Sequence, residues 1–378
     1  MSWIALKMLT GDRVKFIGLL FGVAFSTLLI TQQLTIFVNL LMRGGNSVLE
    51  VTTADVWVMD PASRTVDVHI PMPATALDRV RGVNGIAYAS PMLTATAVLR
   101  TPDGDLESVT VIGVDDATLI GLPRDMYEGD REALFEPDAV FLDDTGSRRL
   151  FEPGSQMIDT RLELNDRRAV VRGIADVTPT FTSLVMLYTR YSNALRYVPG
   201  TRNRMSFVLV RAAEGVDPAV LADRIEAQTG YKAETREQFN RAGVDFIIEN
   251  TGIPVNFGIT VALGFIVGVA IVGLTFSLFI RDNIKQFGAL KAIGVTNRKI
   301  RGMVFTQAAF VGMIGYGLGL LAAELFFVTT EPIDTFKGFF MPWQIPVIAL
   351  VAVAVMLLLT GYLALRNVLK TEPAEVFR

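Results

Sequence analysis

Few residues in this sequence could do covalent chemistry. It has one histidine, His69, and no cysteine, which excludes disulfides, thiolate metal sites, cysteine nucleophiles and any site needing two histidines. A lone histidine on a strand-like segment reads as structural or merely exposed. Adjacent carboxylates occur at Asp115-Asp116 and Asp143-Asp144. Such pairs can divide acid and base roles, but these lie in an acidic, turn-rich stretch and read as solvated turns. No G-x-x-x-x-G-K-[ST], H-E-x-x-H or G-x-S-x-G occurs, so the phosphate loop and the common metalloprotease and hydrolase signatures are missing. No catalytic residue and no metal ligand is expected, and the chain does not read as an enzyme.

Interaction chemistry is concentrated in residues 281–301, where Arg281, Lys285, Lys291, Arg298, Lys299 and Arg301 face a single acidic residue, Asp282. Inside it, Lys285-Gln286-Phe287-Gly288-Ala289-Leu290-Lys291-Ala292-Ile293-Gly294 sets Phe287, Leu290 and Ile293 at helical spacing. This predicts a short basic amphipathic helix that Gly294 stops, followed by a turn. Its apolar residues could fill a groove on a partner while Lys285 and Lys291 meet an acidic rim. The alternative is a topogenic basic loop with no partner.

The elements that position this segment are apolar. Residues 16–41, 251–280, 302–323 and 338–365 contain no charged residue. Crossing ~30 Å of hydrocarbon takes about 20 helical residues, and each stretch is long enough. The first exceeds a signal-peptide core and no small-x-small cleavage site follows, so it reads as a retained anchor. The expected spans are 16–41, 253–280, 302–328 and 343–366, with 1–15 an amphipathic N-terminal segment. Glycine pairs at i, i+4 occur in three of them: Gly18/Gly22, Gly264/Gly268 and Gly315/Gly319. Such pairs let helix backbones approach closely in lipid; whether they meet helices of the same chain or of a second copy is open. Glu324, Gln32 and Gln33 read as polar residues at or near membrane depth, and Glu324 reads as reaching water at the outer end of its helix.

Charge gives the orientation. The N-terminal tail, residues 281–301 and the C-terminal tail together carry twelve basic residues against four acidic ones. Positively charged short segments mark the cytoplasmic side, which puts both termini inside. The third connection, 329–342, has Glu331, Asp334 and only Lys337. The long segment 42–252 carries 22 basic and 31 acidic residues and is placed outside, where its negative charge argues against nucleic acid as a partner.

That segment reads as mixed α/β. Strands are expected at 54–59, 86–88, 94–99, 108–114, 205–211 and 231–235, with helices at 74–81 and from Asp217-Pro218 to Gly230. Pro73-Ala74 followed by Asp78-Arg79-Val80 matches Pro218-Ala219 followed by Asp223-Arg224-Ile225 at equal spacing. Either this is chance between two short amphipathic helices, or the domain has two βαβ halves flanking an insertion. The insertion, about 116–191, reads as a mostly β subdomain with a hairpin turn at Asn165-Asp166. Residues 236–250 read as a helix leading into the second span as a stalk, with Gly252 and Pro254 able to kink the junction. The predicted fold class is thus an α-helical membrane protein with four transmembrane helices and a large mixed α/β extracytoplasmic domain.

In residues 288–294 (Gly-x-Leu-Lys-Ala-x-Gly), in the terminal Glu372-Pro373-Ala374-Glu375-Val376-Phe377-Arg378, and in the order of one helix, a large domain and three helices, the sequence resembles the MacB/FtsX-type permeases of type VII ABC transporters. Within that family it looks closest to the DevC-like permeases, associated with glycolipid export in heterocyst-forming cyanobacteria. Ala54–Asp60, 111–119, 162–171 and 250–268 carry that likeness. Many family members have glutamate where Gln286 stands, so a salt bridge from that position is not expected.

The resemblance implies a non-catalytic permease of the bacterial inner membrane, working as a dimer of two permease copies. A separate cytoplasmic ATPase chain would hold the ATP and Mg and grip residues 285–294. Closure on ATP would pass through the stalks to the periplasmic domains, exporting a lipid-like or other amphiphilic substrate with a periplasmic adaptor and an outer-membrane channel. Rival functions on the same fold are lipoprotein extraction from the membrane and regulation of a cell-wall hydrolase. A ligand-sensing receptor is a further reading from a different class.

Overall fold

The computed structural model describes residues 2–101, 103–152, 154–177, 185–201, 203–333, 336 and 338–370. The terminal 372–378 motif, Asp334 and Lys337 lie outside the described residues. In chain order the helices are α1 (Ser2–Gly11), α2 (Arg13–Glu50), α3 (Thr75–Arg81), α4 (Asp144–Leu150), α5 (Tyr191–Tyr197), α6 (Pro218–Thr229), α7 (Arg236–Asn250), α8 (Ile253–Asp282), α9 (Ile284–Ala292), α10 (Asn297–Thr330) and α11 (Gln344–Lys370). The strands are β1 (Val56–Met59), β2 (Met72–Pro73), β3 (Ile86–Arg100), β4 (Leu106–Val114), β5 (Met126–Glu128), β6 (Ala139–Asp143), β7 (Arg161–Leu164), β8 (Arg167–Ala175), β9 (Met186–Arg190), β10 (Arg204–Met205), β11 (Phe207–Ala212) and β12 (Lys232–Thr235). Two compact units form: 1–39 with 252–332 and 339–378, and 40–251 with 333–338.

The first unit holds four helices long and apolar enough to cross a membrane, within α2, α8, α10 and α11. They form a ring. Gly18 and Gly22 of α2 face Thr275 and Ile271 of α8, and Gly264 and Gly268 of α8 face Leu29 and Ser26 of α2. Gly315 and Gly319 of α10 face Val23 and Thr27 of α2. Helix α11 closes the ring, with Met356 against Gly268 and Leu357 against Gly312. All six paired glycines therefore seat helices of one chain against each other, the close approach that packs helices where lipid gives no hydrophobic drive. At one end of the bundle Asn39 donates to the Phe340 carbonyl (2.8 Å) and accepts from its N–H (3.3 Å), fixing the α10–α11 connection to α2.

In the second unit β12, β1, β11 and β3 pair antiparallel in that order, with α3 and α6 on one face. This is the split βαβ arrangement, two βαβ halves interleaved in one sheet. Ala76 and Val80 of α3, and Leu221 and Ile225 of α6, share one buried cluster. The matching sequence positions thus do the same job in both halves, which favours the two-half reading over chance similarity. On the other sheet face Trp57 and Phe207 pack against Phe239 of α7.

Strand β3 runs unbroken through Pro91, where the sequence suggested two strands. Residues 86–92 pair with β11, and from Leu93 onward β3 pairs with β4. Its first half therefore has a free edge, where proline is tolerated. The second half begins a closed circuit β3–β4–β9–β6–β8–β7–β3. Its interior is filled by alternate residues such as Leu93, Leu99, Val111, Leu142, Leu164 and Val171, the period-2 pattern of a strand with one buried face. The β7–β8 turn has Asn165 and Asp166 at φ 47° and 60°, the left-handed pair that a tight two-residue hairpin needs.

Two expectations change. Asp143 and Asp144 are buried, not solvated: Asp143 accepts from the N–H groups of Gly146 (2.9 Å) and Met186 (2.7 Å), and Asp144 pairs with Arg148. Asp115 likewise accepts from Tyr88, Ala117 and Thr118, and Asp116 from Ser192. These carboxylates hold turns and caps. The stalk is also not one helix: α7, opened by a Thr235–Gln238 capping box, ends at Asn250, Thr251 is extended, and α8 begins at Ile253. A proline in the first turn suits a new helix start.

Candidate functional site

The basic segment 281–301 is held between two helices of the bundle. Helix α8 ends at Asp282, and Asn283 serves both as its last cap and as the first of α9. The Asn283 amide donates to Phe279 O (2.8 Å), while its carbonyl accepts from the Gln286 and Phe287 N–H groups. A one-residue joint thus turns one helix into the next. At the far end Val295 N–H reaches Leu290 O and Gly294 N–H reaches Lys291 O, both at 3.0 Å. Gly294 has φ 92°; this is the Schellman closure, and a side chain there would be strained. Thr296 is extended and α10 begins at Asn297.

Helix α9 has two faces. Phe287 is 1% exposed and lies in the buried cluster of the bundle with Leu9, Phe279 and Ile300, and Gly288 beside it is buried. Ile293 is 78% exposed. Leu290 and Lys291 are half-buried, and Lys285 and Gln286 are exposed. The sequence grouped Phe287, Leu290 and Ile293 as one partner-facing set. The structure turns Phe287 inward, so Ile293 and the accessible part of Leu290 are the apolar surface left to a partner. On the same segment Lys285, Arg298, Lys299 and Arg301 are exposed, so its accessible charge is cationic.

The N-terminal helix supports the same end of the bundle. Ala5 and Leu9 of α1 are buried, and Gln307 of α10 donates its amide to Ala5 O at 2.7 Å. Lys7 sits 4.2 Å over the Trp3 ring. Between α1 and the α8–α9 joint lies a groove of about 570 Å³ lined by Trp3, Lys7, Met8, Asp282 and Gln286. Lys15 bridges Asp12 (2.6 Å) and Asp282; the hydrogen bond from the Lys15 ammonium holds the Asp12 carboxyl below the usual range.

Sequence reasoning missed Gln307, fully buried, and the ladder Thr27, Thr31, Thr35 and Asn39, all buried at four-residue spacing on α2. The usable signal was uncharged polar residues repeating every helical turn inside a charge-free span. Glu324 is exposed, and Gln32 and Gln33 are half-buried. Among the described residues no group of three or more His, Cys, Asp or Glu could hold a metal ion.

A family model described as the MacB-like periplasmic core domain matches residues 16–228, and one described as the FtsX-like permease C-terminal matches 258–373. An uncharacterised ABC transporter permease of Mycobacterium tuberculosis is 26% identical over 314 residues, covering 82% of this chain and 79% of that protein. A probable export ATP-binding/permease protein of Pseudomonas fluorescens is 20% identical over 329 residues, covering 84% of this chain and 49% of that protein. A crystal structure of the periplasmic region of MacB from Actinobacillus actinomycetemcomitans aligns with a TM-score of 0.38 at 17% identity, covering 56% of this chain and 96% of that chain.

Proposed function

The chain belongs to the ABC transporter permeases of the MacB/FtsX type, and from that membership we propose that it is a mechanically coupled exporter permease. It is a membrane protein whose work depends on a cytoplasmic ATPase partner. In our reading that partner is a separate chain that binds ATP and Mg, and the permease catalyses nothing itself. Both termini and α9 lie in the cytoplasm and 42–252 lies in the periplasm of the inner membrane, as the opposite charge of the two sets of segments favours. Two copies act together.

The observation that carries this reading is the surface of α9. A short helix joined to two candidate spans presents Ile293, 78% exposed, on a segment whose Lys285, Arg298, Lys299 and Arg301 are also exposed, which suits an apolar groove with an acidic rim on the ATPase. Displacement of α9 reaches α2, whose last residues enter the second unit without a break, and α8, which follows α7 after two residues. The second unit then works on an amphiphilic, lipid-like substrate with a periplasmic adaptor and an outer-membrane channel, as suggested by the likeness to DevC-type permeases. A substrate handled outside the bundle needs no polar pore, and the glycines let the four candidate spans pack closely against one another.

Ile293→Asp tests the docking. The side chain makes little contact within its own chain, so the variant should insert and fold normally. Burying an unpaired carboxylate at an interface costs at least about 3 kcal/mol, a loss of roughly 100-fold in affinity. Co-purification of the ATPase and export should both fail at equal permease level. Wild-type binding by Ile293→Asp would show that α9 is a topogenic basic segment and not the docking site.

A further inference from the structure

The outward face of α9 accounts for docking, but docking alone does not move the bundle. The helix is nine residues long and is joined to its neighbours by two short joints. One is Asn283, the shared cap at φ −94°, ψ 12°, and the other is the left-handed turn at Gly294. A body held at two points can roll about the line between them. A partner pressing on Ile293 would spend its stroke on that roll unless a third attachment lay off the axis.

Phe287 is placed to be that attachment. It is the large apolar residue of α9 that is closed off from solvent, at 1% exposure, against 78% for Ile293 at the other end of the helix. The buried cluster it joins includes Leu9 of α1, Leu19 of α2, Phe279 of α8, Ile300 of α10 and Leu365 of α11. Every other helix of the first unit is therefore represented in the cluster that receives this ring. Packed interiors are dense and transmit displacement instead of absorbing it. Beside the joint, Lys15 at the start of α2 is paired with Asp282 at the end of α8, which ties the root of α9 to the first span as well.

We infer that Phe287 is a positioning residue for coupling: it stops α9 from rolling and delivers the displacement of the ATPase to the whole bundle, while Ile293 and Leu290 do the binding. This rests on the reading of α9 as the docking segment. It separates two properties that the sequence had assigned to one face. Loss of the Phe287 ring should leave the ATPase bound but uncoupled.

The test uses the full-length permease reconstituted with its ATPase, with a single environment-sensitive fluorophore on Asp245→Cys, an exposed site on α7 in a chain that has no other cysteine. Two quantities are read: the affinity of the ATPase, and the fluorescence change on adding ATP. Phe287→Ala should hold affinity within about threefold and reduce the ATP-dependent change at least tenfold. Phe287→Leu keeps an apolar side chain in the cluster and should give an intermediate response, which also covers the case in which alanine lowers the amount of inserted chain. Wild-type responses from both variants, or an equal loss of ATPase binding in both, would overturn the assignment of Phe287. Normal ATPase binding by Ile293→Asp would instead remove the docking reading, whatever the Phe287 variants do, so the two failures are distinguishable.

Discussion

Gly317 and Gly319 lie two residues apart on α10, and the structure predicts opposite consequences for the same substitution. A Cβ on Gly319 would lie 2.5 Å from the Thr27 Cβ and 2.6 Å from the Ala24 carbonyl oxygen of α2. Carbon atoms pack at about 3.5–4.0 Å, so Gly319→Ala requires α2 and α10 to separate by roughly 1 Å. A backbone carbonyl cannot rotate away as a side chain can, and overpacking of this kind costs about 1–3 kcal/mol. A Cβ on Gly317 meets nothing within 4 Å. Both substitutions gain the same helix propensity, up to about 1 kcal/mol, so that term cancels in the comparison. Gly317→Ala should therefore be neutral or stabilising, and Gly319→Ala should be less stable than it by about 1–3 kcal/mol. Equilibrium unfolding of the detergent-solubilised protein by added SDS, run on both variants in parallel, measures this difference. A difference below about 0.5 kcal/mol would refute the claim that the glycine pairs set helix distances within one chain, and would move Gly319 to a surface where a second copy could meet it.

Two further outcomes can be measured directly. A membrane-impermeant thiol reagent should label Ser108→Cys, which is exposed on β4, in cells with a permeabilised outer membrane, and should not label Asn297→Cys, exposed at the start of α10; labelling at 297 alone would invert the topology. His69 packs against the Phe207 ring, with Nδ1 2.8 Å from Val66 O, and burial holds its pKa below the ordinary 6.5. A depressed histidine contributes stability that is fully present above pH 6.5 and is lost as pH falls through the folded-state value. His69→Phe should flatten the loss of thermal stability of the second unit between pH 7 and pH 5, and an unchanged pH profile would assign that loss to the carboxylates.

Much of this protein was determined locally, so the sequence alone carried it. Crossing a membrane depends on length and composition, and the four charge-free stretches coincide over most of their length with α2, α8, α10 and α11. The helix start at Asp217-Pro218 and the turn at Asn165-Asp166 depend on side chains that favour one backbone geometry, and each forms where the sequence placed it. The basic segment between α8 and α10 was legible as a short helix ended by Gly294, because a left-handed closure needs glycine or a near substitute. Tertiary structure decided which neighbour each face meets. Helical spacing put Phe287 and Ile293 in one set, yet one is buried and the other exposed, because the bend at Asn283 lays α9 against the bundle and periodicity carries no information about that bend. Glycine spacing identified close packing without its partner, and only the ring order of the helices assigns Gly315 and Gly319 to α2. Residues 86–88 and 94–99 read as two strands, whereas β3 is continuous and changes partners beside Pro91. Asp143 looked like a solvated turn because burial by strands distant in sequence is a non-local property, and the Met186 N–H that it accepts lies 43 residues away.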